Sequence, residues 1–585
     1  MTRIAVLNKN TCKNKIDCPF ICGSVCPVNR ASKECIIVES DNKAFINEEL
    51  CIGCGICVKQ CPFDCIKIIN LPEQLKTDPI HRYGGNGFAL YSLPTPMFGK
   101  VVGIVGVNGI GKSTAIQILA GMLKPNFGKF GKEFSYQDLI DYFKGTEAQN
   151  FFEKVKAGKI KIAYKPQAVD QIPKVTKGKV RDLLKKVDEK NQMSEIAEKL
   201  EITNILNHDL GKISGGELQR VAIAATVLKD ANLYIFDEMT SYLDIKQRLK
   251  LAKFIKELAT EDIAVLVIEH DLIALDYISD LVHIMYGQPG GFGVVSNLRS
   301  TKTAINVYLE GYMKEENVRF RDHKIKFEVR PPVETKKENL LTEWPEMKKK
   351  LGSFSLAVQP GDIMKGELCG ILGENGIGKT TFVKMLAGVE KPDSGNIDSS
   401  IKIAYKPQYL ETGSEDLVML FLQNAIKKHN NDIVMPLNIQ PLLMKQLRQL
   451  SGGELQRVSI AKALAEDADL VLLDEPSAYL DVEQRLSISK IIASVAETKG
   501  MAVLVVDHDL LFLDYLSERL LVFNGIPAKN GLTNGPMQME EGMNMLLKDL
   551  DITLRRDDLS GRPRINKPGS QKDREQKSKG KYYYS

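Results

Sequence analysis

Short apolar runs recur along the chain, and they recur in pairs. Val101–Val105 and Cys369–Leu372 each lead directly into a glycine-rich loop, and two later apolar runs each end in an Asp-Glu pair. An apolar run before a glycine loop predicts a strand, and the residues after each loop predict a helix. This order of strand, loop and helix, present twice, predicts an α/β fold built from two copies of one domain.

Both glycine loops match the pattern G-x4-G-K-[ST]. In this context backbone amides close around phosphates, the lysine reaches the β- and γ-phosphates, and the hydroxyl after the lysine holds magnesium. The predicted nucleotide-binding residues are Gly106, Asn108, Gly109, Gly111, Lys112, Ser113 and Thr114 in the first copy, and Gly373, Asn375, Gly376, Gly378, Lys379, Thr380 and Thr381 in the second.

Further motifs follow both loops in the same order: a glutamine after Tyr-Lys-Pro, a Ser-Gly-Gly-Glu segment, the Asp-Glu pair and a histidine beside acidic residues. A serine and glycines at the start of a helix offer amides and a helix dipole to a phosphate. Each motif alone fits a turn or a solvated loop, but their joint recurrence makes that interpretation negligible. The selected residues are Gln167, Ser214, Gly215, Gly216, Asp237, Glu238 and His270, then Gln408, Ser451, Gly452, Gly453, Asp474, Glu475 and His508.

Spacing locates an insertion in the first copy. The two loop lysines, Lys112 and Lys379, are 267 residues apart, whereas Ser214 and Ser451 are 237 apart. The first copy therefore has thirty extra residues between its glycine loop and its Ser-Gly-Gly-Glu segment. Apolar spacing over about 133–159 predicts two amphipathic helices joined at Gly145. An exposed helical hairpin would be an interaction element, and a surface insertion without a role is the alternative.

Ten of the eleven cysteines precede residue 66, and one run matches the ferredoxin pattern C-x2-C-x2-C-x3-C-P. In two-cluster ferredoxins the fourth cysteine of each run ligates the other [4Fe–4S] cluster. Structural zinc and a disulfide framework are the alternatives, and Cys35 and Cys65 are left over as buried thiols. The predicted ligands are Cys51, Cys54, Cys57 and Cys26 for one cluster, and Cys12, Cys18, Cys22 and Cys61 for the other.

The length of the chain limits how it can fold. With 585 residues it is too long for a single hydrophobic core, so we expect several domains. No signal peptide and no stretch near ~18 apolar residues is visible, so we expect an intracellular, soluble protein whose thiols stay reduced.

The end of the chain is basic: from Arg555 to Lys581 it contains ten Lys or Arg and four Asp or Glu. This basic excess is typical of a nucleic-acid contact, and a solvated disordered tail is the alternative.

The paired motifs resemble the P-loop, Q-loop, signature, acidic strand end, D-loop and switch histidine of ATP-binding cassette ATPases. The resemblance implies that Asp237 and Asp474, with Ser113, Thr380, Gln167 and Gln408, position magnesium. Glu238 and Glu475 then activate water, and His270 and His508 contact the γ-phosphate. Each nucleotide is held between one P-loop and the opposite signature, so that Lys112 faces Ser451 and Lys379 faces Ser214. Because both glutamates are present, we expect both sites to hydrolyse ATP, at different rates. The copies also differ at Met239, which frees a backbone that the proline of the second copy fixes.

The ferredoxin-like start, the hairpin and the absence of a membrane domain resemble one family, the ribosome-recycling ATPases of cassette class E, or RNase L inhibitor family. Val318–Arg321 and 562–567 match its hinge segments. One departure is the five residues between Cys12 and Cys18, where the family has four. The implied domains are a ferredoxin-like α+β domain at 1–75, a first cassette at 76–315, a linker at 316–340, a second cassette at 341–550 and a basic hinge and tail at 551–585.

The resemblance implies that ATP closes the cassettes, that closure moves the iron–sulfur domain, and that terminated or stalled ribosomes are split into subunits. Implied partners are the small subunit with its rRNA, a release factor or its stalled-ribosome paralogue, and initiation factors. Roles in initiation and ribosome biogenesis, a monomeric state, and a cytoplasmic and also nuclear location are further expectations. An iron–sulfur redox ATPase, a transporter subunit and a soluble factor of a neighbouring cassette class are the alternatives.

Two aromatic residues are candidates to stack on adenine. Tyr83 precedes the leading strand of the first cassette, and Phe354 occupies what the sequence indicates is the comparable place in the second. Either residue fits a core position equally well.

Overall fold

The structure is a computed structural model that describes residues 2–9, 11–13, 18–39, 41–48, 50–63, 65–71, 78–129, 134–325, 327, 339–395, 401–408 and 414–583, without the side chains of 2–4 and 69–71. The chain forms two compact units. The first comprises Met1–Met239, Phe254–Glu269 and Ile278–His323, and the second comprises Thr240–Lys253, His270–Tyr277 and Lys324–Ser585.

The first unit contains a sheet whose central strands are parallel, and three of them, Val101–Val105, Ala264–Ile268 and Leu233–Asp237, are fully buried. Because Ala264–Ile268 lies between the P-loop strand and the strand that ends at Asp237, their carboxyl ends share one edge of the sheet, where α/β folds bind ligands. The strands in spatial order are His81–Arg82, Ala89–Tyr91, Phe292–Val295, Leu281–Gln288, Val101–Val105, Ala264–Ile268, Leu233–Asp237 and Ile162–Lys165, with Arg299–Ser300 beside Leu281–Gln288.

The second unit repeats this strand order, and its central strands are again parallel. The repeat predicted from the motifs is therefore a repeat of the whole sheet. The strands in spatial order are Met347–Leu351, Phe354–Val358, Asn530–Gln538, Arg519–Ile526, Leu368–Leu372, Ala502–Val506, Leu470–Asp474 and Ile403–Lys406.

Helices flank both sheets. Those that begin in the first unit are Lys112–Leu119, Tyr136–Tyr142, Glu147–Lys156, Ile172–Val175, Val180–Val187, Met193–Lys199, Gly215–Val227 and Thr301–Glu310. Those that begin in the second are Ile245–Leu258, Leu272–Ile278, Lys379–Leu386, Val418–Phe421, Gln423–Lys428, Gly452–Ala465, Val482–Lys499, Leu510–Leu516, Met539–Asp549 and Gln571–Ser578. Among the helices of the described ranges, none has the length and apolar character needed to cross a membrane.

The cysteine-rich segment packs within the first unit. Thr2–Leu7 pairs antiparallel with Ile66–Leu71, and Ile36–Val38 with Ala44–Ile46. Its helices are Ile21–Val25, Pro27–Arg30 and Ile56–Gln60. The side chain of Asn86 joins it to the cassette, because its amide oxygen accepts from the Leu7 N–H at 2.7 Å and its amide nitrogen donates to the Ala5 carbonyl at 3.1 Å.

Two predicted boundaries differ from the compact units. The first cassette was placed at 76–315, yet Thr240–Lys253 and His270–Tyr277 belong to the second unit. The reason is a set of ionic and polar contacts, described below, that the Asp244 and Asp276 carboxylates make there. Part of the predicted linker, 318–321, packs in the first unit, where Arg321 donates to the Tyr308 carbonyl at 2.7 Å. Residues 326 and 328–338 of that linker lie outside the described residues.

The insertion forms a helical hairpin. Its helices are Tyr136–Tyr142 and Glu147–Lys156, and Gly145, with a φ of 81°, lies in the turn between them. Glu133 lies outside the described residues. The apolar side of the hairpin is buried in the core of the first unit, and its outward side is polar. The buried side chains are Leu139, Ile140, Phe143, Phe151 and Phe152.

The basic tail is folded over residues 551–583, so the alternative of a disordered tail does not hold there. Leu554–Arg556 pairs antiparallel with Pro563–Ile565, and the helix Gln571–Ser578 follows. Arg562 is fully buried and Arg564 is partly buried, and both contact Asp276. Part of the basic charge therefore lies inside the second unit and is neutralised there.

Candidate nucleotide sites and iron–sulfur ligands

In the first unit, the P-loop lysine is buried under its own loop. Lys112 Nζ donates to the carbonyls of Gly106 and Val107, both at 2.9 Å. The hydroxyl of Ser113 lies 3.5 Å from the Asp237 carboxylate, whose pKa is raised by burial. A hydroxyl and a carboxylate at this distance are oxygen ligands of the kind that Mg²⁺ prefers.

The second P-loop has the same arrangement with a shorter contact. Lys379 Nζ donates to the carbonyls of Gly373 and Glu374 at 2.8 and 2.6 Å, and burial lowers the pKa of Lys379 to about 8. The Thr380 hydroxyl donates to the Asp474 carboxylate at 3.0 Å. Both loops therefore hold a buried cation where the sequence predicts bound phosphates, and either site could take a nucleotide with magnesium.

The two glutamates predicted to be catalytic have a left-handed backbone. Glu238 and Glu475 have φ angles of 48° and 47°. This conformation costs a non-glycine residue roughly 1–3 kcal/mol, which contacts with the surrounding structure must offset. Lys165 donates to the carbonyls of the first Asp-Glu pair at 2.8 and 3.0 Å, and Lys406 donates to those of the second at 2.7 and 3.3 Å. These two buried lysines were missed, although Tyr-Lys-Pro-Gln in both copies was the available signal.

The predicted Q-loop glutamines lie on the glutamates rather than on the aspartates. Gln167 donates to the Glu238 carboxylate, and Gln408 donates to Glu475 Oε1 at 2.7 Å. The sequence also assigned both glutamines to magnesium, and that assignment stays a prediction. In the structure each one donates to the carboxylate that is predicted to activate water.

Burial governs the electrostatics around Glu475. Burial and the nearby carboxylates of Asp474 and Asp507 raise the pKa of Glu475 to about 7. His508 Nε2 lies 3.6 Å from Glu475 Oε1, and burial together with Lys379 holds the pKa of His508 well below its usual range. Asp507 accepts from the Ser477 hydroxyl at 2.7 Å and from the His508 N–H, which fixes the histidine loop.

Both Ser-Gly-Gly-Glu segments open a helix in the same way. Ser214 caps Gly215–Val227 and Ser451 caps Gly452–Ala465, and each forms a reciprocal capping box with the glutamate three residues later. The first helical turns therefore present backbone N–H groups at an exposed end, which suits an anion.

Inside the second unit, a motif of the first copy contacts a motif of the second copy. The Asp244 carboxylate accepts from the backbone N–H of Asn375 in the second P-loop at 2.9 Å, and Lys246 Nζ lies 2.7 Å from Glu374 Oε1. The Tyr242 and Tyr479 hydroxyls are 3.0 Å apart. The first D-loop therefore contacts the second P-loop directly.

The aromatic candidates need one correction. A Cβ at Gly378 would come within 3.0 Å of the Phe354 ring, and one at Gly111 would come within 2.6 Å of the Phe88 ring. Phe88, rather than Tyr83, is therefore the structural counterpart of Phe354. Strand register explains the difference, since Phe88 directly precedes the strand Ala89–Tyr91. Tyr83 is about half exposed, and its hydroxyl lies 3.3 Å from Thr114; its contact with adenine stays a prediction.

The cysteines fall into two groups. Cys26, Cys51, Cys54 and Cys57 line one small cavity with Cys35. Burial raises the pKa of Cys57 to about 11, and the other three thiols of its predicted set also raise it. Burial likewise raises the pKa of Cys22 to about 12, and the thiols that add to the shift are Cys12, Cys61 and Cys18.

This grouping fits the cysteine sets predicted for two [4Fe–4S] clusters, in which one cysteine binds each ligated iron. Among the described side chains, no group of three or more Cys, His, Asp or Glu is arranged to hold a single metal ion. The leftover thiols lie beside the two groups: Cys35 next to Cys26 and Cys51, and Cys65 Sγ 3.3 Å from Cys61 Sγ.

Comparison with known proteins agrees with this geometry. The family model described as "ABC transporter" matches residues 97–241 and 360–478, and "4Fe-4S binding domain" matches 44–67. ABC transporter E family member 1 of Arabidopsis thaliana is 45% identical, with 100% of this chain and 99% of that protein covered. Translation initiation factor RLI1 of Saccharomyces cerevisiae is 44% identical, with 100% and 98% covered.

Solved structures match equally well. "Model of ribosome-bound archaeal Pelota and ABCE1" has a TM-score of 0.94 at 52% identity, covering 100% of this chain and 99% of that one. "RNase-L Inhibitor" has a TM-score of 0.80 at 52% identity, covering 87% and 100%. The fold and sites thus define an ATPase with two ATP-binding cassettes and an iron–sulfur domain.

Within that class, the chain belongs to the E family of ATP-binding cassette proteins, the RNase L inhibitor family. The predicted family and fold class are confirmed, and so is the prediction of an iron–sulfur domain.

Proposed function

We propose that the chain recycles ribosomes, using ATP to separate terminated or stalled ribosomes into subunits. The observation that carries the proposal is the full-length match, at a TM-score of 0.94, to a structure titled as ribosome-bound with Pelota. A second matching structure is titled as a complex of an archaeal ribosomal stalk protein with a recycling factor; it is 52% identical and covers 87% of this chain. Relatives named as translation initiation factors support a further role in initiation.

The proposed chemistry uses two composite sites. Each P-loop holds the phosphates of one ATP with magnesium, and the signature of the other cassette completes the site, so that Lys112 faces Ser451 and Lys379 faces Ser214. The contact of Asp244 with the second P-loop supports this pairing, because a D-loop that reaches the opposite nucleotide lets each site report on the other. Glu238 and Glu475, held by Gln167 and Gln408, activate the attacking water.

Closure over ATP is the proposed mechanical step, and the iron–sulfur domain is the part that it moves. The Asn86 bonds and the packing of Val6 against the outer strands of the first sheet support a firm attachment of that domain to its cassette. The polar outer side of the hairpin and the exposed lysines of the tail are the proposed rRNA contacts. Action on ribosomes places the chain in the cytoplasm, with the nucleus as a second location.

Ribosome splitting is the direct test. Protein purified without oxygen, mixed with ribosomes, ATP and a release factor, is expected to yield free subunits on sucrose gradients. The same protein with Glu238→Gln and Glu475→Gln combined is expected to remain bound to small subunits. Intact ribosomes after incubation with protein that has full iron content and normal ATPase activity would refute the proposal.

We also propose two [4Fe–4S] clusters, one on each group of cysteines. The purified chain should then contain about eight iron and eight sulfide per molecule. Cys57→Ser should lower the iron content by about half, because one cluster loses a ligand. Cys35→Ser, which changes a thiol in the same cavity that is outside the predicted ligand sets, is the matched control and should leave iron unchanged. An iron content near four in the unmodified chain would contradict the second cluster.

A further inference from the structure

The cysteine-rich segment is built from two matching halves, and the two leftover cysteines hold equivalent positions in them. In one half Leu7 ends a strand and pairs with Ile66, which begins the antiparallel partner strand. In the other half Ile46 ends a strand and pairs with Ile36, which begins its partner. The leftover cysteines directly precede Ile66 and Ile36, so the same register places both of them.

In the first half, an asparagine connects the leftover Cys65 to the first cysteine of a run. The Asn8 N–H donates to the Cys65 carbonyl at 2.7 Å, and the Asn8 carbonyl accepts from the Cys12 N–H at 3.0 Å. Cys65 Sγ lies 3.3 Å from Cys61 Sγ. This hydrogen bond and burial hold the pKa of Cys65 well above its usual range, and the Cys12 thiol adds to the shift.

The second half repeats these contacts around Cys35. The Asn47 N–H donates to the Cys35 carbonyl at 2.7 Å, and the Asn47 carbonyl accepts from the Cys51 N–H at 3.0 Å. Burial raises the pKa of Cys35 to about 12, and its neighbours Cys26 and Cys51 add to the shift by charge and by hydrogen bonds. These three thiols also line one cavity.

Each leftover thiol therefore lies beside two predicted ligands of one cluster, the first cysteine of one run and the fourth cysteine of the other. Both thiols are buried, with Cys35 1% and Cys65 4% exposed. A thiol within one hydrogen bond of a ligand sulfur needs to move only ~3 Å to take its place, which a change of side-chain rotamer can supply. The same pair of neighbours, present in both halves, indicates one role for the two thiols.

We propose that Cys35 and Cys65 are reserve ligands, each of which binds the iron of an adjacent cysteine when that cysteine is lost. The inference rests on the two clusters of the proposed function, where each ligated iron takes one cysteine sulfur. In the exchange the reserve thiol gives its proton to water, and its thiolate forms the iron–sulfur bond that the lost cysteine had made. The iron and sulfide of the cluster, and its oxidation state, stay the same.

Iron and sulfide content of the full chain, purified without oxygen and without added thiols, tests the second half. Cys51→Ala is expected to retain about eight iron, because Cys35 replaces the missing sulfur. Cys51→Ala combined with Cys35→Ala should retain only about four. Cys57→Ala is the matched control: Cys57 is outside the pair of thiols to which Cys35 bonds, so about four iron should remain although Cys35 is present.

The first half has its own set of variants. Cys12→Ala is expected to retain about eight iron, and Cys12→Ala combined with Cys65→Ala about four, with Cys22→Ala as the control that also falls to about four. Electron paramagnetic resonance of the reduced protein gives an independent readout. The g values of Cys51→Ala and Cys12→Ala should differ from those of the unmodified chain, because a sulfur in another position binds the iron.

The outcomes separate clearly. About four iron in Cys51→Ala and in Cys12→Ala, as low as in the double variants, would overturn the inference, and a fall in one half alone would overturn it for that half. Eight iron with an unchanged spectrum would also overturn it, since the replaced cysteine was then never a ligand. Circular dichroism identifies a variant that does not fold, and Cys26→Ala then takes the place of Cys51→Ala, because Cys35 bonds to both.

Failure of the two-cluster proposal has a different signature. An unmodified chain with about four iron would contradict the second cluster, and exchange at the remaining cluster would still be measured by its own variants. An unmodified chain with about eight iron, together with loss in every single variant, would refute the reserve ligands alone.

Discussion

Asp276→Asn is expected to lower the free energy of unfolding of the second unit by about 3–5 kcal/mol. Asp276 is 5% exposed and lies against two arginines of the tail hairpin. Arg564 contacts it with two nitrogens at 2.6 and 2.9 Å, and Arg562, which is 0% exposed, lies 3.1 Å away. Asparagine keeps the shape of the side chain but removes the charge, so the fully buried Arg562 and the partly buried Arg564 lose their shared counter-ion, and Asp557, 3.2 Å from Arg564, is the carboxylate that remains.

Hydrogen exchange is the suitable measurement, because a chain of two units does not unfold in one step. Amides of Leu554–Arg556 and Pro563–Ile565 should lose protection first. The matched control is Asp551→Asn, which removes an exposed partner of Lys577 and should cost less than about 1 kcal/mol. A loss below ~1 kcal/mol with Asp276→Asn would show that water or other groups already neutralise the arginines.

A triple variant tests whether charge or packing is responsible. Replacing a complete buried ionic network by apolar residues of similar volume is often neutral, whereas removing one member is not. Asp276→Leu with Arg562→Met and Arg564→Met should therefore recover most of the stability that Asp276→Asn loses. Asp557, which lies 3.2 Å from Arg564, keeps the N–H groups of Leu559 and Ser560 as donors in this variant.

Glu475→Gln is expected to lower ATP turnover at the second P-loop by about 10²–10⁴-fold, the usual contribution of a general base. Glutamine can still accept the bond that Gln408 donates, and Lys406 holds the backbone independently of the side chain. Nucleotide binding should therefore persist while hydrolysis stops. The loss removes only the carboxylate whose pKa the surroundings raise to about 7.

Single-turnover hydrolysis in the Lys112→Ala background measures this effect directly. Glu466→Gln, which changes an exposed carboxylate of the same cassette, is the control and should leave turnover unchanged. Glu238→Gln in the Lys379→Ala background is the corresponding measurement for the first site. Turnover above about half of the starting value in Glu475→Gln would remove this residue from catalysis, and equal turnover of the two single variants in the full chain would remove the inequivalence of the sites.

The motifs and their spacing were sufficient to predict much of the fold and of the candidate sites of this protein. The loops, signatures and Asp-Glu pairs are local, so one stretch of chain contains both the chemistry and its geometry. The hairpin was also accessible, because Gly145 separates two apolar periodicities that differ from those of the neighbouring strands. The two cysteine groups could be predicted because the Cys51–Cys61 run matches the ferredoxin pattern, in which the fourth cysteine of each run ligates the other cluster.

The remainder depends on contacts between distant residues. Lys165 and Lys406 lie beside the Asp-Glu pairs only because adjacent parallel strands bring them there. The hydrogen bonds of the Q-loop glutamines to Glu238 and Glu475 could not be predicted, because the motif specifies the glutamine but not the side chain that it meets. The assignment of Thr240–Lys253 and His270–Tyr277 to the second unit likewise depends on partners more than a hundred residues away.

The distribution of thiols has a consequence for how this molecule is damaged. Ten cysteines lie before residue 66, and the remaining one, Cys369, is 1% exposed within the second sheet. Oxidants of thiols therefore meet nearly all of their targets in one small part of the chain, while both P-loops contain no sulfur. Oxidative injury should produce a decoupled molecule that still consumes ATP but has lost the part that ATP drives. The cell would then lose energy as well as function, which makes prompt removal of such molecules advantageous.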